Sequence, residues 1–341
     1  MHFLGSRSSE IFNVTVKRIN ASTVAVCWET PLKDLAVSVY KGRSPVAFGR
    51  GSPVARVRGR TTAKISGLEP DLRYYFKVVP EGGSGVITAE RLVPLQGSLN
   101  FRDMGGYPTS NGSQVKWGHV FRSDNLSNLT DRDQAVLKRM GIKLVCDLRT
   151  TPELNRWPDR LPDDSSIEYL HLPVIHGEKD FDFYYEKIRK GELSWLTEEF
   201  MIDANIRIID EYGETLGTIL RRLAEPDTPP LVFHCAGGRD RTGVCAALIL
   251  LALGVPEETV IYDYCLSDVF FSERREEINA RLRSRGVDPD TLILYYTAPP
   301  HFFVPVIHHI QEAYGSFINY IRTKAGVSEE MLASLKQKLL E

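Results

Sequence analysis

No apolar run in this chain is long enough to cross a bilayer: the longest, Val244–Val255, is one buried helix, short of the roughly 18 residues a span needs. The first residues, MHFLGSRSSEIFNV, lack the apolar stretch and small-residue cleavage site of an export signal. A cytoplasmic protein is expected, although a trimmed mature form would read the same. Cysteine is scarce, with Cys27, Cys146, Cys235, Cys245 and Cys265 odd in number and widely spaced, which excludes a disulfide scaffold. Without a CxxC or CxxH pair no metal is expected either, and no motif calls for a cofactor. Neither sign of charge dominates, with 42 Lys+Arg against 44 Asp+Glu in 341 residues, and 43% of the chain is hydrophobic, so a disordered tail protein is excluded. At roughly 100 to 200 residues per domain the length points to two domains. The balanced total conceals an asymmetry: residues 1–93 carry 14 Lys+Arg against 7 Asp+Glu, and the remainder 28 against 37.

The two parts also differ in pattern. Residues 11–93 alternate apolar and polar positions in seven short segments separated by turn residues, which predicts a β-sandwich. Trp28 closes the segment VAVCW, and Tyr74 opens a run with Phe76 and Val78 at period two after Leu68 and Pro70. This buried-strand Trp and corner Tyr resemble a fibronectin type III domain over residues 1–93. Arg56, Arg58 and Arg60 share one face of a strand, a possible contact with an anionic surface or simply a solvated face. No basic helix or aromatic platform accompanies them, so nucleic acid is not an expected partner. Val93–Ser98 is expected to be a linker. From Leu99 onward buried strands such as KLVCDLR and PLVFHC alternate with helical periods, which predicts an α/β domain over residues 94–341, closed by a helix that Ser328 caps.

The stretch that carries chemistry is Leu231 to Gly243, an apolar strand that runs into His234-Cys235-Ala236-Gly237-Gly238-Arg239-Asp240-Arg241-Thr242 and then a long apolar helix. A Cys, five residues and an Arg enclose a phosphate-sized loop. In such a loop backbone N–H groups point inward and the helix N-terminus adds partial positive charge, a cradle for a dianion. The same field and the Arg241 guanidinium favour a thiolate at Cys235, so its pKa is expected to be depressed and the sulfur ready to attack phosphorus. Arg241 suits the equatorial oxygens of the transferring group, and a lysine would not replace its fork. Thr242 is placed either to stabilise the departing thiolate or to start the helix, and His234 to orient the loop. By average residue usage this combination arises by chance in about 1 in 10,000 chains of this length.

HCAGGRDRTG resembles the HCxAGKDRTG loop of bacterial tyrosine phosphatases, some of which also act on phosphoserine, phosphothreonine and phosphoinositides. Asn100-Phe101-Arg102-Asp103-Met104-Gly105-Gly106-Tyr107, Trp117-Gly118, Phe121-Arg122-Ser123, Cys146-Asp147-Leu148-Arg149 and Tyr314-Gly315-Ser316 are similar to other landmarks of that family. The resemblance covers about residues 94–341 and implies a cysteine-phosphatase fold, a central mainly parallel sheet flanked by helices. It implies Cys235, Arg241, Asp240 and Thr242 as catalytic and Ala236, Gly237, Gly238, Arg239 and Arg241 as phosphate-binding. Two positions depart from it. Gly237 stands for the usual Ala, which would loosen the loop, and Arg239 for the usual Lys, which keeps the charge but changes the contact.

Ester cleavage needs a proton for the leaving oxygen. Asp240 resembles the in-loop aspartate of this family. Asp180 and Asp182 follow the strand before the catalytic one, where other tyrosine phosphatases keep a mobile acid loop. Trp157-Pro158-Asp159 spells that loop's tripeptide one strand too early and reads as a structural turn. Asp147 and Arg149, at a strand's carboxyl end, are expected at the pocket rim or in a structural pair, and Arg102 with Asp103 in a turn-fixing ion pair. Tyr184, Tyr185 and Trp195 are candidates for a lid or for core packing, and Cys146 and Cys245 for reversible disulfides with Cys235. Three functions remain open: a phosphatase of phosphotyrosine and other phosphoproteins, the same chemistry on phosphoinositides or polyphosphorylated small molecules, favoured by the extra cation Arg239, and a non-catalytic phosphate-binding adaptor. The sequence sets no oligomeric state.

Overall fold

The computed structural model describes residues 10–48, 51–70, 72–284 and 286–341. Strands β1 (Phe12–Asn20), β2 (Thr23–Glu29), β3 (Ala36–Ser44), β4 (Ala47–Phe48), β5 (Ala55–Arg58), β6 (Thr62–Ile65), β7 (Tyr75–Pro80) and β8 (Val86–Ala89) form two antiparallel sheets, β1–β2–β6 and β4–β3–β7–β8, with β5 paired to β3. The period-two residues supply the core: Val24, Val26 and Trp28 from one sheet meet Val37, Val39, Phe76 and Val78 from the other. The corner is formed as expected, with the Glu69 amide donating to the Tyr74 hydroxyl at 3.1 Å. The added strand, β4, is two residues long and too short to leave a pattern. The basic stripe is an ion-pair lattice more than a bare cationic face. Arg58 reaches Glu81 at 2.9 Å and Asp34 at 3.3 Å, and Arg56 donates to the Ser38 hydroxyl.

The second domain contains β9 (Arg102–Asp103), β10 (Val120–Ser123), α1 (Asp131–Arg139), β11 (Leu144–Asp147), α2 (Thr151–Arg156), β12 (Glu168–His171), α3 (Phe181–Lys190), α4 (Glu198–Ala224) and β13 (Leu231–His234). There follow α5 (Asp240–Ala252), α6 (Glu257–Ser272), α7 (Arg275–Arg283), α8 (Ile293–Tyr296), α9 (Val304–Tyr314), α10 (Phe317–Thr323) and α11 (Glu329–Leu339). The sheet order is β12–β11–β13–β10–β9, parallel except for β9. Alternation divides β13 between two cores: Leu231 and Phe233 join the larger helical core, Val232 the smaller one with Val136 and Leu137 of α1. Covered on both faces, the strand reads as a continuous apolar run. In α4, Gly217 lets the chain near Ala325 approach: an added Cβ would lie 1.8 Å from the Ala325 carbonyl oxygen. Ser328 caps α11, its hydroxyl accepting from the Met331 amide.

The junction of the two domains is packed. Val93 and Leu95, expected in a linker, are buried in the smaller core of the second domain. Arg73 of the sandwich pairs with fully buried Asp103 at 2.9 Å, and the Arg91 guanidinium lies 3.8 Å from the ring centre of Tyr107. Arg102 and Asp103 therefore do not pair with each other. Neighbours in β9 point to opposite faces, so Asp103 turns toward the sandwich while Arg102 turns inward to Asn100 and Asp263.

Candidate active site

The parallel strands β10, β11 and β13 end together, and the segment after each reaches the same place, where ligands collect in open α/β sheets. From β13 the chain passes through Cys235 to Arg239 and enters α5 at Asp240. The loop's carbonyls are held from outside the cavity. Arg122 donates to the Gly238 oxygen at 2.7 Å, and the Asn100 side-chain amide donates to the Gly237 and Gly238 oxygens at 3.2 and 3.0 Å. Arg122 is fixed in turn by Asp263 at 2.5 Å, where Arg102 and the Tyr107 hydroxyl converge. Burial opposes ionisation of Asp263, but Arg102 and Arg122 hold its carboxyl well below the usual range. With the carbonyls turned away, the amides of Ala236, Gly237, Gly238 and Arg239 donate to no protein acceptor among the described residues. Gly238 is needed here: its φ is +64°, and a Cβ would lie 2.5 Å from the backbone of Ser123 and Asp124. Gly237 is not under that constraint, since a Cβ there meets nothing within 4 Å, so the alanine of similar loops would fit.

Cys235 is buried, 3% exposed. Arg241 extends to Glu153 of α2 in a two-point contact, 2.6 and 2.7 Å, and also donates to the Val174 carbonyl. That uses one edge of the guanidinium. The Nε–H and the outer Nη2–H, which form the next edge, have no acceptor among the described residues and match two oxygens of a phosphoryl group. Burial works against the Glu153 charge, but Arg241 and Thr150 hold its carboxyl below the ordinary value. The sequence reading missed Glu153. Its trace was the capping pattern Thr150-Thr151-Pro152-Glu153, in which Glu153 accepts from the Thr150 amide and hydroxyl.

Asp240 lies in the cavity wall, but as a bound carboxylate. Arg239 donates to both of its oxygens, 2.7 to 3.0 Å, and the Tyr264 hydroxyl donates to Oδ1 at 3.0 Å. Burial opposes the charge, while Arg239 and then His176 hold this carboxyl at about 2. Arg239 spends its other nitrogen on the carbonyls of Leu294 and Thr297, so it is a strut of the loop. The extra cation that favoured polyphosphorylated substrates is therefore already paired. Of the other acid candidates, Asp180 caps α3 by accepting from the Phe183 amide, and Asp182 faces Arg156 at 3.5 Å; neither lines the cavity.

Beneath the loop lies a second charged cluster. Asp147 and Arg149 are fully buried and paired at 2.7 Å, so they are not at the rim where an open end of β11 would put them. Arg149 folds back to meet Asp159 at 2.9 Å, and Asp159 also stands 3.0 Å from His234 Nε2. The Trp157-Pro158-Asp159 sequence is thus a turn that anchors the residue before Cys235. Three donor atoms of Asp147, Asp159 and His234 lie within 4.8 Å of one another, and the Arg149 guanidinium supplies the cation between the two carboxylates. Burial would depress the His234 imidazole, but Asp159 and Asp147 together raise it above its ordinary value.

The cavity over the loop measures about 550 Å³ and is lined by Cys235, Asp240, Arg241, Glu153 and His176 together with an aromatic wall. Tyr184 and Tyr185 of α3 and Trp195 belong to that wall, Tyr184 lying 4.5 Å from Trp195 and 5.3 Å from Phe200 between ring centres. Cys146 and Cys245 are in the core, not in the wall, and burial pushes the Cys146 thiol up to about 12 and that of Cys245 well above its ordinary value. Thr242 is fully buried, its hydroxyl without a partner among the described residues.

Three comparisons with known proteins bear on this site. The tyrosine-protein phosphatase of Nostoc commune is 29% identical over 312 residues, which cover 89% of this chain and 96% of that protein. The triple specificity protein phosphatase PtpB of Mycobacterium tuberculosis is 28% identical over 275 residues, 72% of this chain and 98% of that one. Among solved structures, the fn3 domain of human contactin 1 is similar over 28% of this chain and 92% of its own, at 18% identity and a TM-score of 0.18. The model of the tyrosine phosphatase family matches residues 93–341, the α/β domain with its cysteine loop and aromatic-walled cavity. The chain therefore belongs to the tyrosine phosphatase family and is a hydrolase of phosphate monoesters.

Proposed function

We propose that the enzyme hydrolyses phosphotyrosyl protein substrates, with phosphoserine and phosphothreonine as further substrates, through a phosphocysteine formed on Cys235. The observation that carries the reading is the buried Cys235 inside a loop whose amides lack acceptors among the described residues, beside an edge of Arg241 that likewise has none among them. A phosphoryl group in the loop takes hydrogen bonds from the amides of Ala236 to Arg239 and from that edge, and the N-terminus of α5 adds its partial charge. Cys235 attacks phosphorus in line, the ester oxygen leaves, and water then releases phosphate. The Thr242 hydroxyl, buried and without a partner among the described residues, is the donor that steadies the sulfur as it departs. Asp240 belongs to the proton-handling side of the site, and His234 positions the loop through its contact with Asp159. The aromatic wall offers faces for a phosphorylated ring. For the sandwich, peripheral contact with an anionic surface through Arg56 and Arg60 is a separate proposal. Binding of the full chain to anionic vesicles that weakens with salt supports it, and absence of binding removes it.

Phosphate release from matched phosphotyrosine, phosphoserine and phosphothreonine peptides and from phosphoinositides, by wild type and Cys235→Ser, tests the reading. Turnover of phosphopeptides that Cys235→Ser lacks is the expected result. Turnover of phosphoinositides alone would move the substrate class to lipids, and turnover of nothing would leave a phosphate-binding protein.

A further inference from the structure

Asp240 resembles the acid of the phosphate loop, and an acid must hold its proton on the oxygen that meets the leaving group. Arg239 does not choose between the two oxygens, since its Nε lies 3.0 and 2.9 Å from Oδ1 and Oδ2 and its Nη2 2.7 Å from Oδ2. A second donor comes from behind the loop, on α6. Tyr264 follows Asp263, so neighbouring residues of this helix supply the carboxylate that holds Arg122 and a hydroxyl 3.0 Å from Asp240 Oδ1. Tyr264 is 1% exposed and is not among the residues that line the cavity. Two contacts fix its ring. Phe303 stacks on it with 4.4 Å between centres and 18° between planes, and Gly243 of α5 leaves it room, because a Cβ there would lie 2.8 Å from the ring carbon Cδ2. Burial and the Asp240 charge push the Tyr264 hydroxyl well above its ordinary value, so it remains a donor. Asn205 of α4, fully buried, sets its side-chain amide beside that hydroxyl. Neither Nδ2 nor Oδ1 of Asn205 has a hydrogen-bond partner among the described residues, a costly state for a buried amide without a task. Oδ2 of Asp240 is turned the other way, 3.9 Å from Nε2 of His176, which lines the cavity.

We infer that Tyr264, backed by Asn205, is the positioning residue of the acid: its hydroxyl donates to Oδ1 and so leaves the transferable proton on Oδ2, the oxygen on the cavity side. An oxygen that accepts from both Tyr264 and Arg239 is the carbonyl-like oxygen of a protonated carboxyl. The Asn205 amide beside the phenol oxygen leaves the phenol's own hydrogen to point at Asp240. In the unloaded site burial opposes the Asp240 charge while Arg239, His176 and Tyr264 favour it. A phosphate dianion in the loop adds negative charge beside the carboxylate and favours its protonated form. Cys235 then forms the S–P bond as the ester P–O bond breaks, and the departing oxygen takes the Oδ2 proton, leaving an alcohol, phosphocysteine and a carboxylate. In the second half Oδ2 takes a proton from the attacking water as the S–P bond breaks, and thiolate, protonated carboxyl and phosphate dianion result. Tyr264 and Asn205 act only through that carboxyl. The inference rests on the proposed phosphatase reaction with Asp240 as its acid.

The test compares kcat/KM for phenyl phosphate and 4-nitrophenyl phosphate in the full chain, with inorganic phosphate as a competing inhibitor. The two esters present the same ring but differ in how much the leaving oxygen needs a proton. Asp240→Asn is expected to lose about 10²-fold or more on phenyl phosphate and far less on the nitrophenyl ester. Tyr264→Phe removes only the hydroxyl and should show the same split, with a loss of about tenfold or more on phenyl phosphate, the worth of one hydrogen bond to a charged group. Its inhibition by phosphate should match wild type, because the loop amides and Arg241 are untouched. In an Asp240→Asn background Tyr264→Phe should cost nothing further on either ester, and Asn205→Leu alone should show the split in weaker form. Equal losses on both esters, no loss from Tyr264→Phe, or the same loss with and without the Asp240 carboxyl overturns the role of Tyr264. If Tyr264→Phe lacks native circular dichroism, Asn205→Leu decides by the same criterion: a split supports the inference and equal losses overturn it. A wild type inactive on both esters, or an Asp240→Asn variant without a split, overturns the underlying reading as well. A split shown by Asp240→Asn but not by Tyr264→Phe overturns this inference alone.

Discussion

The two domains place their charges in opposite ways. In the sandwich the ion pairs of the basic stripe sit at the surface: Arg58, Asp34 and Glu81 have side chains 54%, 80% and 66% exposed. In the α/β domain the pairs that surround the phosphate loop are inside, with Arg102, Arg122, Arg149 and Asp147 fully buried. Exposed pairs are screened and add little to stability. A buried pair contributes little net stability while intact, yet removing one partner strands a charge in a medium that cannot solvate it. The cost of these buried groups makes structural sense as restraint on the loop. Asp263 holds Arg122, Arg122 holds the Gly238 carbonyl, and the amide side of the loop is left for phosphate.

Three measurements would break or sharpen that contrast. The largest effect is expected for Asp263→Asn, which leaves Arg102 and Arg122 without their shared carboxylate; denaturant unfolding should show a loss of about 3–5 kcal/mol. A loss below about 1 kcal/mol would mean that the buried network is not a restraint.

A middle effect is expected for Asp159→Asn, read through pH. The folded pKa of His234 is raised, so its contribution to stability is complete below the unfolded value near about 6.5 and is lost as pH rises through the folded value. Asp147 is held down at about 2, burial notwithstanding, by His234 and Arg149, so its contribution is present above the unfolded value and is lost as pH falls from about 4 toward 2. Wild-type stability should therefore decline on both sides of a plateau between about pH 4 and 6.5. Asp159→Asn should lower the plateau and flatten the alkaline side, as seen in unfolding midpoints from pH 3 to 9. An unchanged alkaline slope would contradict the role given to Asp159. The smallest effect is expected for Arg58→Ala, whose unfolding midpoint should coincide with wild type; a clear shift would show that the surface pairs matter too.

What the sequence made legible was local. The Cys235 to Arg241 loop is contiguous, Gly238 lies inside it, and the sandwich strands follow from period-two alternation, so each could be read from one window of residues. The partners were not legible. Glu153 is 88 positions from Arg241, and Asp263 is 141 positions from Arg122. Neither spacing carries a periodic signal, and only the packed sheet brings them together. The same limit explains the misread pairs. Arg102 beside Asp103 suggested a local ion pair until strand alternation sent them apart, and Arg239 suggested an extra cation until Leu294 and Thr297 supplied carbonyls for it. Asp147 and Arg149 stand at a strand end, yet Arg149 turns back under the loop.

The most direct test of the account is to quench wild type and Cys235→Ser with acid during turnover of a phosphotyrosyl peptide and to map phosphate on the digested protein by mass spectrometry. The account predicts phosphate on the peptide that contains Cys235 in wild type and none in the variant, with turnover reduced at least about 10⁴-fold in the variant. Turnover with no covalent phosphate on Cys235, or a Cys235→Ser variant as fast as wild type, would contradict it.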